Sequence, residues 1–405
     1  MSSSRRAFLR TTGLGLLAFG LPPAFLLRSA RAQSAKNKSL VVVFQRGAMD
    51  GLNVVVPFKD PAYYKLRPSI AVREPGANQE SAIDLDGFYG LHPALAPLKS
   101  IYDQGQLAFI QATGSPDNTR SHFDAQDYME IGTPGIKSTP DGWLNRCLLE
   151  NKKAESNFRA VAVTAQLPRI LAGRAPALTL SSIEEFRFRD EALGSALHKL
   201  YGGSPDRPLR SGAENLFGAM GELKRLNAKI PASSERYPAG QFGAGLAQIA
   251  RLIKADVGLE IAFTEIGGWD THANQGGATG QLANRLKELA EGLAAFYRDL
   301  GERTEDVVLL TMSEFGRTAR ENGNRGTDHG HANVMFAMGG KVRGGKVYGR
   351  WPGLAPEQLN EGRDLALTTD FRTVCGEALT RHLGQKELAR IFPNFRAAAP
   401  LGILA

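Results

Sequence analysis

Five short apolar runs, at residues 40–44, 107–111, 259–263, 307–311 and 334–338, recur along the chain, and each leads into a loop of glycine and polar residues. Runs of this length and β-branched content, apolar throughout rather than alternating, belong to strands buried on both faces. Between two of them, Leu282, Leu286, Leu289, Leu293, Phe296 and Leu300 return at helical spacing and give one apolar face. The alternation predicts an α/β fold in which a largely parallel sheet is sandwiched by helices. Residues 61–90 have no clean period and read as loop with short strands. Residues 203–247, rich in Gly, Ser, Pro and charge with one helical piece over 216–226, read as an insertion or cap. No fixed-period repeat is present, so residues 33–405 are expected to form a single domain.

Composition narrows the function classes. The 405 residues are 42% hydrophobic and 22% charged, which disfavours wholesale disorder or a coiled coil. Two cysteines exclude a disulfide scaffold, a cysteine-built zinc site and a cysteine-ligated iron–sulfur cluster. The net charge of +8 is largely a leader property: residues 1–32 hold five arginines and no acid. A nucleic-acid role thereby loses its main support. Ser4-Arg5-Arg6-Ala7-Phe8-Leu9-Arg10 precedes an apolar stretch over residues 14–27, and Ala30-Arg31-Ala32 offers a peptidase site before Gln33. Residues 1–32 resemble a twin-arginine export signal. Interrupted by Gly20 and Pro22-Pro23, the stretch falls short of the roughly 20 residues that a membrane-spanning helix needs. A periplasmic or secreted protein with no stable membrane span is expected.

Polar residues collect just past the apolar runs, where loops of an α/β sheet converge and helix N-termini point inward. Asp50 follows the first run in Gln45-Arg46-Gly47-Ala48-Met49-Asp50-Gly51, although Asp-Gly is also a turn signal. After the second run, Ser121 and Asp124 have the form of a capping box opening a helix that continues to Gly132. A serine there suits a cap and a nucleophile equally, with Thr119 as the competing hydroxyl and Arg120 available for a phosphate or sulfate oxygen. His122, one residue further, reads as a surface residue or a proton donor. Asp270 and His272 share a loop after the third run, and Asp328, His329 and His331 precede the last. Three of the seven histidines thus lie beside aspartates, as a cation site needs. In Ser313-Glu314-Phe315-Gly316-Arg317-Thr318, Glu314 and Arg317 suit either an ion pair that fixes the loop or a place in the site.

Together the leader, the Asp50 loop, Arg120-Ser121-His122-Phe123-Asp124-Ala125-Gln126, Gly268-Trp269-Asp270-Thr271-His272, the Glu314 loop and Gly326-Thr327-Asp328-His329-Gly330 resemble the exported domain-of-unknown-function 1501 family. That family in turn looks like a branch of the alkaline phosphatase and sulfatase superfamily, which implies a mixed sheet holding one or two divalent metals at its carboxyl ends. Carried over, the resemblance makes Asp50, Asp270 with His272, and His329 or His331 candidate ligands and Ser121 the nucleophile; the reading taken here adds Glu314 and Asp328 to the candidate ligands and Arg120 or Arg317 as the cation on the non-bridging oxygens. Zinc is the implied metal, with manganese or magnesium as alternatives. The chain departs from the superfamily in spacing Asp270 and His272 two apart rather than four, and in carrying Ser313-Glu314-Phe315 where relatives carry Asp-His-Gly. No Cys or Ser followed by Pro two on and Arg four on occurs around residues 113–121, so a sulfatase using a modified residue is not expected. The expectation is a metal-dependent hydrolase of small or polymeric phosphate or related esters. Its alternatives are a non-catalytic metal-binding protein of the cell envelope and, more weakly, an oxidoreductase. The oxidoreductase lacks support, since no Gly-x-Gly-x-x-Gly follows the first run.

Overall fold

The run at 40–44 becomes strand β1, Ser39–Arg46, buried through Gln45 because strands flank both its edges and helices cover both its faces. The computed structural model describes residues 37–150, 156–184, 191–226 and 233–405, and residues 38–405 form one compact unit. The expected leader at 1–32 lies outside the described residues. A small sheet is built by β2 (Val55–Val56), β3 (Ile83–Asp84) and β4 (Gly90–Leu91). The main sheet adds β5 (Leu107–Gly114), β6 (Ala160–Ala162), β7 (Leu178–Thr179), β8 (Ile261–Gly267), β9 (Val307–Met312), β10 (Asn333–Met338), β11 (Val347–Tyr348) and β12 (Thr369–Asp370). Its order is β11-β5-β10-β9-β1-β8-β6-β7, with β12 also on β5. All pairings are parallel except those of β10, which runs against both β5 and β9. The sheet is therefore mixed and largely parallel.

Alternate residues of the central strands feed two cores. Val41, Val43, Phe109, Ala262 and Leu309 pack beneath the helix Gln281–Leu300, whose Leu282, Leu286, Leu289, Leu293 and Phe296 form its buried stripe. Leu40, Val42, Phe44, Ile110, Phe263 and Leu310 face Trp143, Leu144, Phe371 and Val374 on the opposite side. Cys147 and Cys375 are both buried in this second core and are not joined in a disulfide. No helix among the described residues is long and apolar enough to cross a membrane.

The stretch expected as an insertion over 203–247 divides in two. Helix Arg207–Leu226 contains the expected helical piece, whereas Gln241–Lys254 is a core helix with Phe242 and Leu246 buried against the sheet. Its glycines mark close packing rather than a loop: a Cβ on Gly243 would stand 2.0 Å from the Pro238 carbonyl oxygen. The topology brings the carboxyl ends of β1, β5, β8 and β9 to one rim with the amino end of antiparallel β10.

Candidate metal centre

Asp270 is delivered by the loop after β8, which the buried Trp269 anchors by donating its indole N–H to the Ile266 carbonyl at 2.9 Å. The Asp270 Oδ1 atom lies 2.9 Å from His272 Nε2, 3.2 Å from His329 Nε2 and 3.5 Å from His122 Nε2. His329 Nε2 is in turn 3.0 Å from the Nε2 of both His122 and His272. Ligand atoms of His122, Asp270 and His329 lie within 4.8 Å of one another. His272 and His329 come together because their loops pack without side chains between them: a Cβ on Gly326 would stand 2.4 Å from the His272 carbonyl carbon.

The opposite ring nitrogens are each held from behind. His329 Nδ1 lies 2.8 Å from the Arg120 carbonyl oxygen, which only accepts, so Nδ1 carries the hydrogen. His122 Nδ1 is 2.7 Å from Glu314 and His272 Nδ1 is 3.0 Å from Asp328. Burial opposes ionisation of Glu314, but hydrogen bonds from His122, Gln126 and backbone hold its carboxyl below the usual range. Asp328 is likewise held low against its own desolvation by Asn322 and His272. Both carboxylates therefore accept from Nδ1, and each imidazole turns its Nε2 toward Asp270 Oδ1, while the Glu314 carboxylate behind His122 raises the pKa of that ring. Ring nitrogens and a carboxylate oxygen brought this close hold either shared protons or a cation among them. Tetrahedral zinc with Zn–N near 2.1 Å spaces its ligands by about 3.4 Å, and imidazoles held from behind by carboxylates or carbonyls are the usual outer shell of such an ion.

Arg317 fixes the frame. Fully buried, it donates to the carbonyls of Gly47, Ala48, Trp269 and Thr327 and, at 2.6 Å, to Asp270 Oδ1. Burial raises the Asp270 pKa, but the Arg317 charge and hydrogen bond together with His272 and His122 outweigh it, so Asp270 is held below its ordinary value. One guanidinium thus ties together the loops after β1, β8 and β9.

The expected site residues separate into three groups. Asp270, His272 and His329 meet. Glu314 and Asp328, expected as ligands, stand one step behind and orient His122 and His272. Asp50 and His331 are placed elsewhere. Asp50 is buried with Oδ2 accepting from Arg67 Nη1 and Gln275 Nε2, both at 2.6 Å, while its buried Oδ1 has no hydrogen-bond partner among the described residues. His331 is buried among Asp364, Arg120, Glu361 and Asp117, with its pKa pushed down by burial. Ser121 is the N-cap of helix His122–Ile131, accepting from the Asp124 N–H at a long 3.4 Å, and Thr119 Oγ1 accepts from the Ser121 N–H at 3.3 Å. Arg120 is taken up by Asp364 and Glu361, at 2.6 and 2.7 Å. His122, read from sequence as a surface residue or proton donor, joins the centre from the first position of that helix. Only its place inside the Arg120–Gln126 motif hinted at this.

Four inward-facing donors at the carboxyl rim of a largely parallel sheet define an α/β protein with one candidate metal centre among the described residues. The chain belongs to the protein family of unknown function DUF1501, whose model matches residues 37–390. Its sequence matches none of the curated proteins. Solved structures to which the chain is similar include the PsFucS1 sulfatase from Pseudoalteromonas, at 10% identity, covering 94% of this chain and 74% of that one with a TM-score of 0.39. The C-terminal periplasmic domain of EptC from Escherichia coli in complex with zinc follows at 8% identity, 76% and 73% coverage and a TM-score of 0.36. The lipoteichoic acid synthase LtaP from Listeria monocytogenes is similar at 8% identity, 82% and 74% coverage and 0.34.

Proposed function

We propose that the chain is an exported hydrolase of phosphate or related esters that works with one divalent transition-metal ion, zinc first, held by Asp270, His122, His272 and His329. The convergence of three Nε2 atoms on Asp270 Oδ1, each with its Nδ1–H committed behind it, carries this reading. Three imidazole nitrogens and one carboxylate oxygen suit zinc far better than magnesium, which prefers oxygen throughout. With Asp50 and His331 elsewhere, one ion fits the donor set better than two. Bound there, the metal supplies Lewis-acid polarisation of the ester and lowers the pKa of an attacking oxygen.

The chain's own groups do the rest. Glu314, Asp328 and the Arg120 carbonyl engage the Nδ1 atoms and so turn each Nε2 toward the centre, and Arg317 helps to keep Asp270 ionised. Ser121, between Arg120 and His122 in sequence, supplies the attacking hydroxyl, which its long cap contact leaves able to give up its hydrogen. Residues 1–32 deliver the folded chain to the twin-arginine machinery. In the test, zinc-loaded protein releases nitrophenol from a phosphate mono- or diester and Ser121→Ala abolishes release; turnover that survives the substitution removes Ser121 from the mechanism.

A non-catalytic metal-binding protein of the envelope is the second reading. It is favoured by the engagement of Ser121 as a cap and of Arg120 and Arg317 in ion pairs. Bound zinc without turnover across a broad ester panel selects it.

A further inference from the structure

With Arg120 and Arg317 committed elsewhere, the charge that an anionic substrate needs must come from another residue. Arg46 and Arg285, also near these loops, are paired to carboxylates at 2.6 and 2.7 Å. Arg363 differs. Its guanidinium donates through Nη2 to the carbonyl of His329, a metal-centre residue, and is 43% exposed. Its single ion pair among the described residues runs through Nε to Asp364 Oδ1 at 3.2 Å, and Asp364 is held more closely by Arg120 at 2.6 Å. The backbone carrying it is fixed, since the Arg363 carbonyl accepts from the Ala319 N–H at 3.1 Å and Asp364 bridges to Thr318, in the loop after β9.

We propose that Arg363 recognises the charged oxygens of a tetrahedral oxyanion, phosphate or sulfate in form, bound at the centre of His122, Asp270, His272 and His329. The proposal rests on the hydrolase reading for the site and names its substrate class: the ester carries at least one full negative charge beside the reacting bond. A guanidinium steadied at one terminal nitrogen on a half-exposed side chain presents a preset fork to such a group. Neutral carboxylic esters give the fork nothing to bind.

The test titrates inorganic phosphate into the zinc-loaded full chain by calorimetry, with zinc content measured on the same samples. Arg363→Ala is expected to keep one zinc per chain and to weaken phosphate binding about tenfold or more, the scale of a lost charge-assisted hydrogen bond. Arg363→Lys, which keeps the charge without the fork, is expected to fall between the two and serves as the reporter should the alanine variant not fold. Unchanged phosphate affinity in both variants overturns the proposal. Loss of zinc together with phosphate also overturns it, since Arg363 then only positions His329. Failure of the hydrolase reading is seen separately, as zinc-loaded wild-type protein that binds phosphate but turns over no ester.

Discussion

Glu314 is fully buried, yet it accepts hydrogen bonds from His122 Nδ1, Gln126 Nε2 at 2.9 Å and the Gly47 N–H at 2.8 Å. Such a carboxylate does its work through the imidazole in front of it, fixing the tautomer and raising the basicity of Nε2. Glu314→Gln keeps the volume and removes the charge, so zinc affinity should fall by about 10- to 100-fold in a chelator competition, the usual loss for an outer-shell partner. An unchanged affinity would mean that His122 needs no help to reach the ion. At this scale the sequence was half legible. Asp270, His272 and His329 stand out because acids and imidazoles share short loops. His122 did not, because its partner Glu314 is 192 positions away and its own neighbours describe only a helix start. The ion pair of Asp50 Oδ2 with Arg67 was hidden for the matching reason: Arg67 stands 17 positions on and gives no sign in sequence of turning back.

Short elements hold the rim in place, and His92 shows how. It caps the 3-10 helix Pro93–Leu98, its Nδ1 accepting from the Ala94 N–H at 3.0 Å while Nε2 donates to the Gly277 carbonyl, also at 3.0 Å. The ring is therefore neutral and ties the small sheet to the segment following the Asp270 loop. Burial pushes its pKa down from 6.5 to about 4, outweighing the Gly277 contact and the Asp50 charge. Because the folded value lies below the unfolded one, the unfolded chain binds the proton first. The contribution is intact above about pH 6.5 and is lost as pH falls toward 4, by up to about 1.4 kcal/mol per pH unit. Urea unfolding at pH 7 and pH 5, with chelator present throughout, should show a smaller stability difference for His92→Gln than for wild type; an equal difference refutes the assignment. Longer elements were the most readable part of the chain. All five apolar runs became main-sheet strands, since strands buried on both faces leave an uninterrupted apolar signature. The helix Gln241–Lys254 escaped because its close contacts demand Gly243 and Gly245, and glycine in sequence reads as a loop.

For the whole molecule, the largely parallel sheet explains why residues from 122 to 329 share one centre: strands that run the same way deliver their loops to the same rim, and antiparallel β10 brings its preceding loop there by its reversed direction. That convergence follows from topology, which the alternation of elements predicted, while the identity of the donors followed from packing, which it did not. The central claim is that His122, Asp270, His272 and His329 hold a single metal ion. Elemental analysis of the purified full chain reconstituted with zinc tests it most directly. One zinc per chain in the wild type, and none in a His272→Ala/His329→Ala double variant of native circular dichroism, is the predicted result. A wild-type chain that retains no zinc, or a double variant that retains as much as the wild type, contradicts the account.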